Sequence, residues 1–207
     1  MNVCWLITGQ SDVLISFSYF WTKPDHDFVR IYDGDSISSP CLLQVNGGVY
    51  QGNYRYSAVS STNQMLVIFN PDSSNFKLDS SVSYIGFNAS YSSCSVLASN
   101  SENISSPNYP NNYDNLDSVC WLISQPIGYT VSLKFNDFNT EDNDDVVRVF
   151  DGNSTNSALL LSASGSTAPS AVNSSSNEML IVFTSDNSNV RTGFQATFHA
   201  VHSVDVA

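Results

Sequence analysis

The sequence predicts an all-β protein built as two antiparallel β-sandwiches in tandem. Three observations carry that expectation: apolar residues alternate with polar ones, turn-forming residues punctuate the chain at intervals of roughly 8–12 residues, and the chain repeats itself. In "TVSLKF" (130–135) Val131, Leu133 and Phe135 alternate with polar neighbours, as Phe194, Ala196 and Phe198 do in "FQATF" (194–198). Each such segment buries one face and wets the other. The apolar runs "MLVIF" (65–69) and "MLIVF" (179–183) read as central strands, and no stretch of about a dozen residues carries a helical apolar period.

The repeat is explicit. "CWLI" stands at 4–7 and at 120–123, "DFVRIYDG" (27–34) answers "DVVRVFDG" (145–152), "MLVIF" answers "MLIVF", and "IGFNASY" (85–91) answers "TGFQATF" (192–198). Four blocks in one order define two units, expected over 1–92 and 93–200, with 201–207 as a tail or linker. Ahead of its "CWLI" the second copy has "CSVLASNSENISSPNYPNNYDNLDSV", whereas the first begins three residues before its cysteine, so the first unit is expected to be truncated at its N-terminal side. Cys94 and Cys120 are then expected to bond within the second unit, closing a loop of about 26 residues for on the order of 3 kcal/mol. Cys4 is left without that partner. Cys41 aligns with Leu159 and reads as a buried or reactive leftover thiol, a Cys4–Cys41 bridge being the alternative. No C-x-x-C pair supports zinc or thioredoxin chemistry.

Composition narrows the function. Nineteen acids against seven bases give a net charge of -12, which disfavours nucleic acid, since neutralising phosphates takes clusters of Lys and Arg. A cationic ligand suits such a field. N-glycosylation sequons at Asn88, Asn103, Asn153 and Asn173 point to a secreted or extracellular surface. No run reaches the roughly 18 apolar residues of a membrane span. The opening "MNVCWLITGQ" lacks a basic leader and a cleavage site, so a secretory leader is expected upstream. Catalysis finds little support: His26, His199 and His202 are the only histidines, the last two expected in a tail, and neither H-E-x-x-H nor G-x-S-x-G occurs.

With "SPNYPNNY", "CWLI", "FNDFNTE", "DVVRVFDG", "IVFTSDNSN" and "TGFQATF" in this order, the chain strongly resembles the CUB domain, a jelly-roll-like extracellular β-sandwich. The resemblance covers nearly all of 94–200 and, without its first strands, about 3–92. It implies a non-catalytic module that binds other extracellular proteins. One departure is systematic: the family's second disulfide is absent, its positions falling in "EDNDD" (141–145) and at Ser164, and the loop before Asp145 is short.

The resemblance extends to the calcium-binding subset of the family, which implies Ca2+ as the cofactor. Carried over residue by residue, Glu141, Asp145 and Asp186 would be anionic ligands, Ser188 and Asn189 would add oxygens directly or through water, and the Tyr113 hydroxyl would orient a carboxylate. Asp142 or Asp144 would substitute if the short loop aims Glu141 elsewhere. Three carboxylates on a divalent ion leave about one negative charge, fit to receive a Lys or Arg of a partner. In the first unit the site is degenerate: Asp27 and Asp72 are present, with Ser74 and Asn75, but Lys23 takes the glutamate position. Weak or no binding is expected there. Two alternatives are a spermadhesin-like glycan-binding module, using Trp21, Tyr50, Tyr54 and Tyr56, and a structural spacer in a larger chain.

Overall fold

The computed structural model describes residues 2–47, 56–71 and 86–202, and the chain divides into two compact units, Met1–Ser93 and Cys94–Ala207. Among the described residues every regular element is a strand. In the first unit β1 (Val3–Thr8), β2 (Val13–Trp21), β3 (Phe28–Tyr32), β4 (Cys41–Val45), β5 (Ser57–Val59), β6 (Gln64–Asn70) and β7 (Gly86–Ser93) form sheets of order β1-β6-β3-β4 and β5-β2-β7. The second unit adds two strands at its start, β8 (Ser95–Leu97) and β9 (Ser101–Ser105), before β10 (Ser118–Ser124), β11 (Tyr129–Asn139), β12 (Val146–Asp151), β13 (Ala158–Ala163), β14 (Val172–Asn173), β15 (Glu178–Thr184) and β16 (Gly193–His202). Its sheets run β13-β12-β15-β10-β8 and β14-β11-β16-β9. Striking β8 and β9 from these orders leaves the pairing order of the first unit.

Alternation places the core. Val131, Leu133 and Phe135 of β11 share the core with Phe194 of the same sheet and with Ile181 and Phe183 of the other, and Trp121, Phe138 and Phe183 each meet Phe194 ring to ring. The first unit buries Val13, Ile15, Phe17, Phe20, Val29, Ile31, Met65 and Val67 in the same way. The run "MLIVF" is buried along its whole length in β15, whereas β6 alternates, with Leu66 and Ile68 half-exposed.

Several expectations need correction. Strand β16 continues to His202, so His199 and His202 belong to the sheet: His199 Nδ1 lies 2.9 Å from Ser101 Oγ, and His202 packs edge-on against Tyr129. Cys41 is exposed, not buried, because β4 is the sheet's edge strand, and neither it nor Cys4 is bonded to another cysteine. Its counterpart Leu159 is likewise exposed, on the edge strand β13. Tyr56 packs edge-on against Phe20 as part of the core, and Trp21 is half-buried in β2, so neither stands out as a glycan platform; Tyr50 and Tyr54 lie outside the described residues.

Candidate metal centre

The ends of β11, β12, β15 and β16 meet at one end of the second sandwich, since Asn139 pairs with Gly193 and Val146 with Thr184. Glu141 follows β11, Asp145 precedes β12, and Asp186 follows β15. The short 141–145 loop is held at three points. Asp145 N donates to Glu141 O, Thr140 Oγ1 donates to Asp145 O at 2.8 Å, and Thr140 and Gly165 exchange two hydrogen bonds. Asn143 N donates to Ser164 Oγ at 3.0 Å, so a hydrogen bond stands where the family's second disulfide is missing.

The segment before β10 closes the site from the other side. Tyr113 N donates to Arg191 O and Leu116 N to Asp186 O, while Ser185 Oγ donates to Asp114 O and accepts from Asp117 N. Asp186 Oδ1 accepts from Ser188 N at 2.7 Å and Ser188 Oγ at 3.1 Å, shaping the turn of "SDNSN". Asn189 holds a positive φ of 51°, an arrangement Asn tolerates. Gly193 has no such latitude: at φ +81° a Cβ would overlap Ser106 Oγ, the atom that accepts from Phe194 N, and would crowd the Tyr113 ring at 3.3 Å.

Glu141, Asp145 and Asp186 each offer an oxygen, and the three atoms lie within 4.8 Å of one another. Asp145 and Asp186 are buried at 0% and 3% exposure. Buried Glu141 Oε2 has no hydrogen-bond partner, while Oε1 accepts from Asn189 Nδ2 at 2.6 Å. Tyr113, 1% exposed, donates its hydroxyl to Asp145 Oδ2 and accepts from Glu141 N at 3.0 Å; Asp145 Oδ1 accepts from Asp186 N at 2.5 Å. Burial first, and the bond to Asp145 second, push the Tyr113 phenol far above its ordinary pKa, so it remains a donor. Carboxylates this close repel by about 3–4 kcal/mol per pair at an effective dielectric of about 20.

All six positions named from the sequence thus gather at one end of the sandwich. Asp142 is exposed and sits beside Gly165 in a polar hollow of about 470 Å³ that also includes Thr167 and Arg191. Thr140, Ser185 and Gly193, which help hold the site together, were not singled out from the sequence as site residues. The repeat held the signal for one of them: Thr22 Oγ1 donates to Asp27 O and accepts from Gly47 N, as Thr140 does with Asp145 and Gly165. In the first unit buried Asp27 accepts from Lys23 N at 3.2 Å, while Asp72, Ser74 and Asn75 lie outside the described residues. Cys94 and Cys120 are bonded.

The CUB domain family matches residues 94–198. The chain belongs to the CUB family. Over 210 residues, 95% of this chain and 38% of the relative, it is 34% identical to embryonic protein UVS.2 of Xenopus laevis. It is 31% identical to human cubilin over 214 residues, 96% of this chain and 6% of cubilin. A solved MASP-1 CUB2 domain bound to Ca2+ is 25% identical, with a TM-score of 0.47, over 51% of this chain and 96% of that domain. The CUB chain therefore spans well under half the length of these two curated relatives. CUB domains are generally non-catalytic interaction modules, and the relatives are secreted or extracellular proteins, as this chain is by family. Among the described residues no helix is long and apolar enough to cross a membrane.

Proposed function

We propose that the second unit holds a calcium ion on Glu141, Asp145 and Asp186, and that this site binds a Lys or Arg of an extracellular partner. The observation that carries the reading is the spacing: oxygens about 2.3–2.6 Å from one ion lie at most about 5 Å apart, and the three carboxylates meet that limit. The buried, unpartnered Glu141 Oε2 is a ligand atom in want of a cation. Turning the Asn189 amide by half a revolution replaces its Nδ2 with Oδ1, which suits a cation better. Ser188 adds a hydroxyl, and Tyr113 fixes Asp145 without being a ligand.

Calcium would supply the charge that offsets three carboxylates and orders their loops. About one negative charge would remain to attract a basic side chain, in a protein whose net charge is -12. The first unit is a CUB module of the same kind with Lys23 at the glutamate position, and it binds calcium weakly or not at all. Neither unit is catalytic in this reading. Asn88, Asn103 and Asn173 are exposed on strands, which supports their glycosylation; Asn153 is half-buried in a turn.

Calorimetric titration with calcium tests the proposal. One equivalent should bind per chain, and Asp186→Ala should remove it. Equal binding by parent and variant overturns the assignment, as does a parent that binds none.

A further inference from the structure

The two loops that meet at the metal centre continue outward into the polar hollow beside it. At the centre they are joined, since Asn189 Nδ2 donates to Glu141 Oε1 at 2.6 Å. One step further out stand Asp142 on the first loop and Arg191 on the second, and both line the hollow of about 470 Å³ together with Thr140, Ser164, Gly165 and Thr167. Among the described residues no hydrogen bond or ion pair joins Asp142 to Arg191. The hollow is held in shape: Thr140 N donates to Gly165 O at 2.8 Å, Gly165 N to Thr140 Oγ1 at 3.1 Å, and Asn143 N to Ser164 Oγ at 3.0 Å. Arg191 Nη1 donates to Asn189 O at 3.0 Å and to Val190 O at 3.1 Å, which occupies two of the five guanidinium donors.

The first unit shows what changes with the site. Its loop at 23–27 matches 141–145 residue for residue: Asp25 and Asn143 share a positive φ, 62° and 66°, and Asp25 N donates to Asn46 Oδ1 at 3.0 Å as Asn143 N does to Ser164 Oγ. Thr22 and Gly47 repeat the bonds of Thr140 and Gly165. Pro24 therefore stands where Asp142 does, and each lies beside its glycine: a Cβ on Gly47 would meet Pro24 at 3.6 Å, and one on Gly165 would meet Asp142 Oδ1 at 3.3 Å. The copy that has Lys23 for Glu141 thus also has an apolar ring for the carboxylate of the hollow.

An acid and a base that line one hollow without closing on each other suit a neutral group with a donor on one side and an acceptor on the other. An ion of either sign would be drawn to one of them and repelled by the other. A peptide unit is such a group. Resting on the reading of the metal centre as a receptor for Lys or Arg, we propose that the hollow binds the partner's backbone next to that residue, with a carbonyl accepting from Arg191 and an N–H donating to Asp142. Any partner that offers a basic side chain brings peptide units with it, so the hollow asks for no further side chain. It does ask for an extended, unpaired segment, because the amides of a helix or a central strand are already bonded within the partner. A sugar also offers donors and acceptors, but no aromatic ring lines the hollow for it to stack on.

The test titrates the full chain, in buffer containing calcium, with n-butylammonium, which is a lysine side chain without a backbone, and with the pentapeptide acetyl-GGKGG-amide, reading amide signals by NMR. The pentapeptide should bind at least about tenfold more tightly than n-butylammonium, and it should move the signals of Gly165 and Thr167. Asp142→Ala and Arg191→Gln should each bring that ratio to about one; taking the ratio removes the effect of the altered charge on the ammonium group itself. Equal affinities of the two probes for the parent, or an unchanged ratio in either variant, overturn the proposal and leave the metal centre's preference for basic side chains standing. Binding of neither probe overturns it together with that reading. Methyl α-mannoside moving the signals of Gly165 and Thr167 where the pentapeptide does not would make a sugar the occupant, and overturns it too.

Discussion

Tyr113 uses one oxygen twice, donating to Asp145 and accepting from the backbone of Glu141, so a single side chain ties both ends of the 141–145 loop to the segment before β10. Tyr113→Phe keeps the ring in its seat against Phe183 but removes the donor to Asp145 Oδ2 and the acceptor of Glu141 N. The expected cost is about 1–3 kcal/mol of stability, with calcium affinity falling by about 10–100-fold; thermal unfolding and calcium titration of the same variant measure both. Asp151 is a purely structural counterpart. Burial raises its pKa, but hydrogen bonds from Ser175 and Ser176 more than offset this and hold the carboxyl below its ordinary range. A lowered folded-state pKa contributes stability above the unfolded value of about 4, and that contribution disappears as pH falls through the folded value. Asp151→Asn should therefore melt below the parent at pH 7, with the gap closing as pH falls below the unfolded value. A gap of constant size from pH 7 to pH 2 would show that the charge of Asp151 is not what matters.

At the scale of elements, the two copies separate what the fold needs from what the metal would need. The Thr22 and Thr140 bonds, the Asp33–Ser61 and Asp151–Ser175 pairs and the seats of Ser60 and Ser174 on β2 and β11 occur in both units. They belong to the sandwich. Glutamate at 141 against lysine at 23 is where the copies part. Strand positions were legible because alternation reports which face is buried: Val131, Leu133 and Phe135 read correctly from six residues. For Cys41 the sequence left a buried and a reactive thiol open, because an apolar residue on an edge strand looks the same in sequence as one in the centre; the buried alternative is the one that fails. The loop anchor at Ser164 was legible only in part: the resemblance places the family's missing second disulfide between "EDNDD" and Ser164, but no pattern in the sequence announces the hydrogen bond from Asn143 N that stands there instead. Ser164→Ala should loosen the 141–145 loop, seen as faster amide exchange at Asn143 and calcium affinity reduced several-fold; unchanged exchange would mean that the Thr140–Gly165 bonds suffice.

Across the whole molecule, two units of one pattern are used differently. The second is closed by β8, β9 and the Cys94–Cys120 bond, and it gathers three carboxylates at one end. Among the described residues the first has no counterpart of β8 and β9, and it pairs its Asp27 with the backbone of Lys23. With a net charge of -12, the chain as a whole attracts cations, yet among the described residues only Glu141, Asp145 and Asp186 bring three carboxylates within 4.8 Å of one another. The most direct measurement is anomalous diffraction from crystals grown with calcium. The account predicts a peak bounded by Glu141, Asp145 and Asp186, with ligand oxygens at about 2.3–2.6 Å and none between Lys23 and Asp27. A calcium-saturated crystal with no density among those three carboxylates, or with the ion in the first unit instead, would contradict it.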